Sequence, residues 1–262
     1  MRALLLIVPA LVMAGSAFAG PDPTRDVLWA ALKTCVLAKR YADRSFPCHA
    51  VDLGNAERPG TAILRAPGRS THFVVMPTDT VSGVEAPVLR GPIGAAYWRA
   101  ALAARHLVSD AARDGLAAED VGLAVNSVGG RSQDQLHIHL ACVHPGVTSA
   151  LQHSADHVGG HWSLLPMRLM GSRFFALRVD AKSLPAFNPF AALGRLPGRP
   201  VGLRDVSLAM VPMPAATIPA GGVVPVGGAA PADHGRDVVL LAYRAPNAHA
   251  EKLLDTGCTA VR

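Results

Sequence analysis

Hydrophobic and polar residues alternate through residues 135–142, which read Gln-Leu-His-Ile-His-Leu-Ala-Cys. A period of two is typical of a half-buried strand, so Gln135, His137 and His139 are predicted to share one face. The apolar residues between them are predicted to face a core. A Gly-containing loop at 129–132 precedes this strand and can present backbone N–H groups to an anion. Histidines beside such a loop indicate phosphate chemistry.

Hydrophobic spacing also predicts regular elements before this strand. Apolar residues recur every three or four positions in the predicted helices and form short runs in the predicted strands. In chain order, these elements are a helix that opens at 22–26 and ends before Ser45, strands at 61–65 and 71–76 around a turn at 66–69, a helix from 92 to about 114, and a strand at 121–126. The two strands around the Pro-Gly turn predict an antiparallel hairpin.

The second half of the chain is less regular. Its predicted elements are strands at 163–165, 174–179, 206–211 and 238–243, and two short helices. One helix begins at Pro189, and the other spans 248–254. A Pro-, Gly- and Ala-rich stretch at about 212–235 predicts a long loop. No repeated sequence is visible. We therefore expect residues 20–262 to form a single α+β domain, with an antiparallel sheet that carries the histidines.

The N-terminus has the features of an export signal. Arg2 precedes an apolar run at 3–14, and an A-x-A cleavage site ends at Ala19, so residues 1–19 are predicted to be a signal peptide. An uncleaved signal anchor is the alternative, although the run is shorter than the roughly 20 residues of a membrane span. In both cases the chain is expected in the periplasm or at the periplasmic face of the inner membrane.

The charge of the chain bears on its partners. The formal net charge is +6 at pH 7. A mildly basic exported protein suits an anionic phospholipid surface or a phosphorylated substrate. Runs of Lys and Arg, or alternation of basic and aromatic residues, would indicate nucleic acid binding, and the sequence has neither. The expected partner is therefore a membrane surface and not a nucleic acid.

Four cysteines are present, at positions 35, 48, 142 and 258. An even number in an oxidising compartment favours disulfides, and four cysteines allow three pairings. We predict Cys35–Cys48 as a local link and Cys142–Cys258 as a link between the C-terminus and the histidine strand. No C-x-x-C spacing indicates a zinc site.

The predicted histidine face has the groups that phosphoryl transfer needs. A neutral imidazole is a good nucleophile near neutral pH because its unperturbed pKa is about 6.5. Attack by His137 on phosphorus would form a phosphohistidine, while Gln135 and His139 on either side donate to the phosphate oxygens. Further predicted donors are Asn126, the Gly129 and Gly130 amides, and Ser132.

This pattern resembles the histidine-triad (HIT) superfamily, whose signature alternates three histidines with apolar residues. His137 and His139 match the second and third histidines, and Gln135 stands in the first position. Asn126, the double glycine and Ser132 also match, as does Thr71–Thr78, which is similar to a HIT strand that usually reads His-x-Leu-Val-Ile-Pro. The resemblance implies an α+β fold with a HIT-like antiparallel sheet, packed helices and a C-terminal elaboration.

A narrower resemblance is to the bacterial CDP-diacylglycerol pyrophosphatase family, and it covers most of residues 27–258. It rests on the N-terminal signal, two early cysteines, one late cysteine, and the histidine strand with its leading Gln. Its shorter matches are Met76–Thr78, Ser82–Glu85, Asn126–Ser127, Gly160–Trp162 and Leu208–Val211.

The narrower resemblance implies hydrolysis of CDP-diacylglycerol to CMP and phosphatidate without a cofactor. His137 corresponds to the nucleophile, and His139 to a phosphate contact that also orients the nucleophile. Gln135 cannot supply a proton as an acid, but a phosphate monoester is a leaving group that needs little protonation. His161, beside Trp162, is a further candidate for the lining of the substrate pocket.

Other functions stay open at this point. Six histidines between residues 137 and 161 could bind zinc or copper in an exported metal-binding protein, although few carboxylates and no thiolates stand at ligand spacing with them. A catalytically idle lipid- or nucleotide-binding protein could use the same fold. Other nucleotide pyrophosphates are alternative substrates, and the sequence sets neither base and acyl preference nor oligomeric state.

Overall fold

The computed structural model describes residues 23–112, 115–198, 202–214 and 236–259. The predicted signal at 1–19 and most of the predicted loop at 212–235 lie outside the described residues. The strands within them are β1 Ala50–Asp52, β2 Thr61–Arg65, β3 Phe73–Pro77, β4 Val121–Val125, β5 Ile138–Val143, β6 Ser163–Leu169, β7 Ser172–Val179, β8 Val206–Pro212, β9 Val238–Arg244 and β10 Leu254–Asp255. They form one antiparallel sheet in the order β1-β2-β3-β5-β4-β8-β9-β7-β6, with β10 beside β5. The predicted α+β class with an antiparallel sheet is confirmed.

The helices lie on both sides of this sheet. The α-helices are α1 Val27–Ala42, α2 Pro92–Ala103, α3 His106–Ala111, α4 Pro145–His153 and α5 Pro189–Ala192. Short 3-10 helices span Pro23–Asp26, Pro87–Arg90, Ala118–Asp120, Ala155–His157, Leu184–Ala186, Leu193–Arg195, Leu203–Asp205 and Glu251–Leu253. In the part of the chain that the structure describes, no helix has the length and apolar character needed to cross a membrane.

One face of the sheet is covered by α2 and α5, which pack against each other. Trp98 of α2 meets Phe190 of α5 edge-to-face, with ring centroids 5.5 Å apart. Beneath them lie Ile138 and Leu140 of β5, both fully buried. The apolar positions of the predicted histidine strand therefore face this core, as the alternation indicated.

The opposite face carries the histidines. His139 alternates with Ile138 and Leu140 along β5 and therefore points to the other side of the sheet. Two helices border it there. Leu151 of α4 packs in the core that holds Ala124 and Ala141, while Leu32 of α1 packs on Ala62 of β2 and Met76 of β3. The histidines thus lie between α1 and α4 on this face, and all of them are buried.

The two halves of the sheet repeat one topology. The elements β2-β3-α2-β4-β5 and β6-β7-α5-β8-β9 follow in the same chain order, and their strands run outward from the centre as β4-β5-β3-β2 and β8-β9-β7-β6. The halves meet through the antiparallel pair β4–β8, where Ala124 is opposite Ala209. His139 pairs with Ala124, and Leu241 pairs with Ala209. Leu241 therefore holds the position in the second half that His139 holds in the first.

Several predicted elements are confirmed close to their expected bounds. The hairpin β2–β3 pairs Arg65 with Phe73 around the predicted turn, where Gly68 has a φ of +70° that favours glycine. The strand pair β8–β9 and the helix that begins at Pro189 are also present. Both predicted disulfides are present, with Cα–Cα distances of 5.7 Å for Cys35–Cys48 and 5.2 Å for Cys142–Cys258.

Three predicted elements differ from the structure. The long helix expected from 92 to about 114 is two helices, because the amides of Arg105 and Leu107 form i→i−3 bonds that end α2 and turn the chain into α3. The histidine strand begins only at Ile138, since the side chain of Gln135 bonds to the backbone of the neighbouring loop. The helix expected over 248–254 is a single 3-10 turn followed by β10, which pairs with β5.

Candidate active site

His137 lies one residue before β5, and its ring has a defined tautomer. Its Nδ1 is 2.7 Å from the carbonyl oxygen of Gln135. A carbonyl oxygen can only accept, so Nδ1 carries the proton and donates it. The lone pair of Nε2 is therefore the one left for attack on an electrophile. This is the protonation state that the predicted nucleophile requires.

Two further imidazoles adjoin His137. The ring of His139 stands edge-to-face to that of His137, with centroids 4.8 Å apart. His72, one residue before β3, stacks on His139 with 5.2 Å between centroids, and its Nε2 is 3.0 Å from His139 Nδ1. The pairing of Val74 with His139 across β3 and β5 brings these rings together. The site therefore contains three imidazoles, of which the sequence analysis assigned two to it.

All three imidazoles have a pKa below the ordinary value near 6.5, and loss of hydration on burial is the largest cause in each case. For His137, the Gln135 carbonyl and the Glu251 carboxylate raise the pKa against this effect. For His139, the neighbouring rings of His137 and His72 lower the pKa further. The rings are therefore neutral near pH 7, which is the nucleophilic form of an imidazole.

A carboxylate, that of Glu251, faces these rings. Its Oε2 is 3.4 Å from His139 Nε2, and its Oε1 is 3.9 Å from His72 Nε2. Asn126 holds it in place: Asn126 Nδ2 donates to Oε2 at 3.0 Å, and Asn126 Oδ1 accepts the N–H groups of Ala250 and Glu251. Because the Glu251 side chain is 32% exposed, water reaches this carboxylate. Asn126, a predicted phosphate donor, thus fixes the turn that carries Glu251.

Gln135 bonds to the main chain of a neighbouring loop. Its Nε2 donates to the carbonyl oxygens of Pro77 at 2.9 Å and Asp79 at 2.8 Å, and its Oε1 accepts the N–H of Val81 at 3.2 Å. Both amide hydrogens are used, and the residue is fully buried. The structure therefore connects Gln135 to the loop that follows β3, and a phosphate could receive its N–H only if one of these bonds broke.

The double glycine serves close packing of two loops. A Cβ on Gly130 would lie 2.2 Å from the carbonyl oxygen of Ala248, and one on Gly129 would lie 2.2 Å from that of Pro246. The N–H of Gly130 donates to the carbonyl and hydroxyl oxygens of Ser127. The predicted anion-binding amide of Gly130 is thus already bonded, and the glycines bring the loop that carries Glu251 against the histidine strand.

Around the next residues, an ionic network fixes the same loop. Buried Arg131 donates to both oxygens of Glu85 at 2.8 Å and also to Asp134. Arg25 donates to Asp134 at 2.7 Å, and the hydrogen bonds from Arg25 and Arg131 hold the pKa of Asp134 at about 2. Ser132 lies on this loop and is exposed. Its predicted role as a phosphate donor stays a prediction.

His161 lies apart from the other predicted site residues. It precedes β6, which is five strand positions from β5, or about 24 Å along the sheet. It is exposed beside a cavity of about 400 Å³ that Trp162, Leu177 and Arg195 also line. The Trp162 Nε1–H donates to the Ala192 carbonyl at 2.9 Å. The structure therefore does not bring His161 to the histidine face.

The described residues include one group with metal-ligand spacing. Ligand atoms of His72, His139 and Glu251 lie within 4.8 Å of one another. Two imidazoles and a carboxylate are a donor set that suits Zn²⁺. The 3.0 Å between His72 Nε2 and His139 Nδ1 is equally the length of a direct hydrogen bond, in which a proton lies between the two nitrogens.

Two of the histidines that could form a metal cluster on sequence grounds make hydrogen bonds within or at the start of α4. His144 caps α4, since its Nδ1 accepts the N–H of Gly146 at 3.1 Å. His153, at the end of α4, donates from Nδ1 to the Ser149 carbonyl at 2.7 Å. These two rings are therefore used within their own helix.

Two residues of the site were not predicted from the sequence. His72 was assigned to strand structure, although it alternates with Val74 and Met76, which is a signal that it shares a face with the histidine strand. Glu251 lies more than 100 positions from His139 and carries no local pattern. The docking of β10 beside β5 and the hydrogen bonds of Asn126 bring its turn to the histidines.

Comparison with known proteins identifies a family for the chain. A family model described as "CDP-diacylglycerol pyrophosphatase" matches residues 23–262. The chain belongs to the CDP-diacylglycerol pyrophosphatase family. The match includes His72, His137, His139 and Glu251, so the whole histidine site falls within the family's extent.

Individual members of the CDP-diacylglycerol pyrophosphatase family align over most of the chain. A "Probable CDP-diacylglycerol pyrophosphatase" of Mycobacterium tuberculosis is 36% identical over 173 residues, which are 65% of this chain and 64% of that protein. A "CDP-diacylglycerol pyrophosphatase" of Yersinia pestis is 30% identical over 214 residues, or 80% of this chain and 81% of that protein. A relative from Mycobacterium leprae is 31% identical over 204 residues. The chain thus spans about 64% of the length of the first of these relatives.

Proposed function

We propose that this chain hydrolyses the pyrophosphate of CDP-diacylglycerol to CMP and phosphatidate through a phosphohistidine on His137. The single observation that carries this proposal is the hydrogen bond from His137 Nδ1 to the Gln135 carbonyl, which leaves Nε2 as the nucleophilic nitrogen. The substrate name comes from the family and from the relatives. The alternative substrates are other nucleotide pyrophosphates, which contain the same bond.

The first step forms one bond and breaks one. The Nε2 lone pair of His137 attacks the phosphorus attached to cytidine, and the bond from that phosphorus to the bridging oxygen breaks. Phosphatidate leaves with the electron pair as a phosphate monoester, and CMP stays attached to Nε2. The Gln135 carbonyl accepts a hydrogen bond from the Nδ1–H throughout, and it stabilises the positive charge that the ring gains.

In the second step, water attacks the same phosphorus, and the P–N bond breaks to release CMP. The water must lose a proton as it attacks. Glu251 faces the histidines and is partly exposed to solvent, so its carboxylate can accept that proton. Both steps use only residues of this chain.

The setting proposed for this reaction is the periplasmic face of the inner membrane. The predicted signal at 1–19 supports export, and two disulfides support an oxidising compartment. A substrate that carries two acyl chains requires the protein to work at a membrane surface. The nucleotide and the pyrophosphate would then lie at the histidine face, with the acyl chains toward the bilayer.

Replacement of the nucleophile is the direct test. His137→Asn should lower CMP release by at least about 10³-fold, while His153→Asn, on α4, should leave it within about twofold. With substrate labelled on the cytidine phosphate, the unmodified protein should retain label that survives alkali and is lost in acid, and His137→Asn should retain none. Substantial turnover by His137→Asn would refute the assignment.

A panel of substrates with and without chelator tests the alternatives. CDP-diacylglycerol should be cleaved faster than CDP-choline, ADP-glucose and a dinucleoside polyphosphate, and chelator should leave the rate unchanged. A rate that chelator abolishes and zinc restores would instead support a metal site at His72, His139 and Glu251. Nucleotide binding without turnover would support a catalytically idle binding protein.

A further inference from the structure

The outer face of α1 carries an apolar stripe that points into solvent. It consists of Val27, Ala30, Leu37 and Tyr41, with Thr34 between them, and the steps of three and four place these positions on one side of the helix. Val27 is 62% exposed, Leu37 52% and Tyr41 80%. Phe46, just after the helix, is 83% exposed. Surface helices of soluble proteins normally turn such a stripe toward the core, so this arrangement marks an interaction surface.

Basic side chains border this stripe. Lys33 and Arg40 lie beside it on the exposed side of the helix, and Arg44 follows in the connection to Phe46. The Lys33 ammonium also lies 5.0 Å from the centre of the Trp29 ring. Apolar and aromatic residues flanked by Lys and Arg are the composition of helices that lie in the interface of an anionic bilayer.

The chain ties this helix directly to the histidine site. The N–H of Leu28 donates to Gln133 Oε1 at 2.7 Å, and Arg25 pairs with Asp134 in the loop that leads into His137. On its inner side, α1 packs on Ala62 and Met76, on the same sheet face as the histidines. Material that contacts the outer face of α1 is therefore on the side of the sheet that carries the histidines.

An apolar pocket lies between α1 and the loop that follows β3. It has a volume of about 250 Å³ and is lined by Trp29, Leu32, Lys33, Val36, Leu37 and Thr78. Thr78 lies between Pro77 and Asp79, whose carbonyl oxygens bond to Gln135. The pocket thus lies between α1 and the loop that bonds to Gln135, and its apolar lining suits an acyl chain.

We propose that the stripe of α1, together with Phe46, docks on the surface of an anionic phospholipid bilayer and directs a lipid substrate to the histidine face. This rests on the proposed function for the identity of the substrate, but the docking itself does not. The lipid occupant is favoured over a second copy of this chain because Lys33, Arg40 and Arg44 match anionic head groups and would repel their own copies across an isologous contact.

A fluorescent label on the stripe tests the docking independently of activity. All four cysteines are in disulfides, so an introduced cysteine is the one free thiol of the full chain. Thr34→Cys places an environment-sensitive label in the centre of the stripe, and Met170→Cys, 41% exposed at the β6–β7 turn, is the matched control. Vesicles of phosphatidylglycerol should shift the emission of label 34 to the blue and leave that of label 170 unchanged.

Each other result overturns the proposal. If the emission of label 34 does not shift, the stripe does not contact the membrane, whether or not the protein sediments with the vesicles. A blue-shifted emission that is present before vesicles are added means that the stripe is covered by another part of this chain. A shift that depends on protein concentration without lipid means that a second copy covers it.

Substitutions separate docking from chemistry. Lys33→Gln and Arg40→Gln should each weaken vesicle binding about fivefold at low salt. Tyr41→Ser with Phe46→Ser should raise the KM for CDP-diacylglycerol in vesicles at least tenfold, and should leave kcat/KM for a short-chain monomeric analogue unchanged. Equal losses on both substrates in the doubly substituted protein would contradict docking. An unsubstituted protein that binds vesicles but cleaves neither substrate would contradict the proposed function and leave docking intact.

Discussion

Gln135 offers a sharp test of how the site is built. In the structure its side chain makes three hydrogen bonds to the backbone at Pro77, Asp79 and Val81. Gln135→Ala removes all three and leaves the buried Pro77 carbonyl, the part-buried Asp79 carbonyl and the buried Val81 N–H without these partners. We therefore expect the substitution to act on the stability of the protein before it acts on the binding of phosphate.

The magnitude follows from the number of bonds. Each buried hydrogen bond contributes about 1 kcal/mol, so the three together are worth about 3 kcal/mol of the free energy of unfolding. For a chain of this size, each kcal/mol lowers Tm by about 2–4 °C, and the expected decrease is therefore about 9 °C. Gln133→Ala is the comparison variant, because Gln133 is a glutamine of the same segment whose Oε1 accepts the backbone N–H of Leu28 and whose Nε2 donates to the adjacent Ser132 carbonyl, outside the loop after β3.

Thermal unfolding followed by circular dichroism measures the effect, together with kcat and KM for CDP-diacylglycerol. Gln135→Glu sharpens the test, because it places a carboxyl oxygen near the carbonyl oxygens of Pro77 and Asp79 and should lower Tm at least as much as the alanine does. A Tm for Gln135→Ala within about 2 °C of the parent, combined with a tenfold higher KM, would refute this reasoning and return Gln135 to the role of phosphate donor.

The remaining predictions concern protonation, a carboxylate and the disulfides. Burial lowers the pKa of His137, so CMP release should be level above that pKa and fall as the pH drops through it. The unfolded ring binds its proton near pH 6.5, so the free energy of unfolding should also decrease as the pH drops from about 6.5 to the lowered pKa of the folded state. Glu251→Gln should leave formation of the CMP–enzyme intact and slow its hydrolysis, giving a burst of one phosphatidate per site in rapid-quench measurements; a slowed burst would contradict the assigned step. Replacing Cys142 and Cys258 with Ala should cost about 4.7 kcal/mol of stability and most of the activity, since β10 and the Glu251 turn depend on that link, whereas replacing Cys35 and Cys48 should cost about 3 kcal/mol and spare kcat. Chemical denaturation and steady-state kinetics distinguish the two pairs.

Local patterns in the sequence were enough for much of the fold. The alternation around Ile138 separated the core side of β5 from the histidine side, and the turn residues at 66–69 located the first hairpin. The cysteine pairing was also predicted correctly, with Cys35–Cys48 as a local link and Cys142–Cys258 as a link to the histidine strand, although the count alone allows three pairings. These features depend on neighbours in the sequence or on covalent chemistry, which a single sequence displays directly.

The remainder depended on contacts between distant segments. Gln135 was expected beside a phosphate because it alternates with His137 and His139, but the backbone of the loop after β3 competes for its amide and draws it out of the strand. His161 has a histidine's chemistry, yet the position of β6 at the edge of the sheet removes it from the site. Glu251 is near His139 because β10 pairs with β5 and Asn126 bonds to its turn. Strand order and long-range pairing decide these cases, and neither leaves a local pattern.

The repeated topology of the sheet has a consequence for how the chain tolerates change. Where the first half has His139, the second half has the buried Leu241, which belongs to an apolar cluster with Ala209 and Val239. The proposed chemistry is therefore confined to one half, and the corresponding position of the other half belongs to the core. Substitutions in β6, β7 and β9 should change the free energy of unfolding. Substitutions around the histidines of the first half should change the rate of turnover. The two halves share a backbone topology, but only the first half has the histidines.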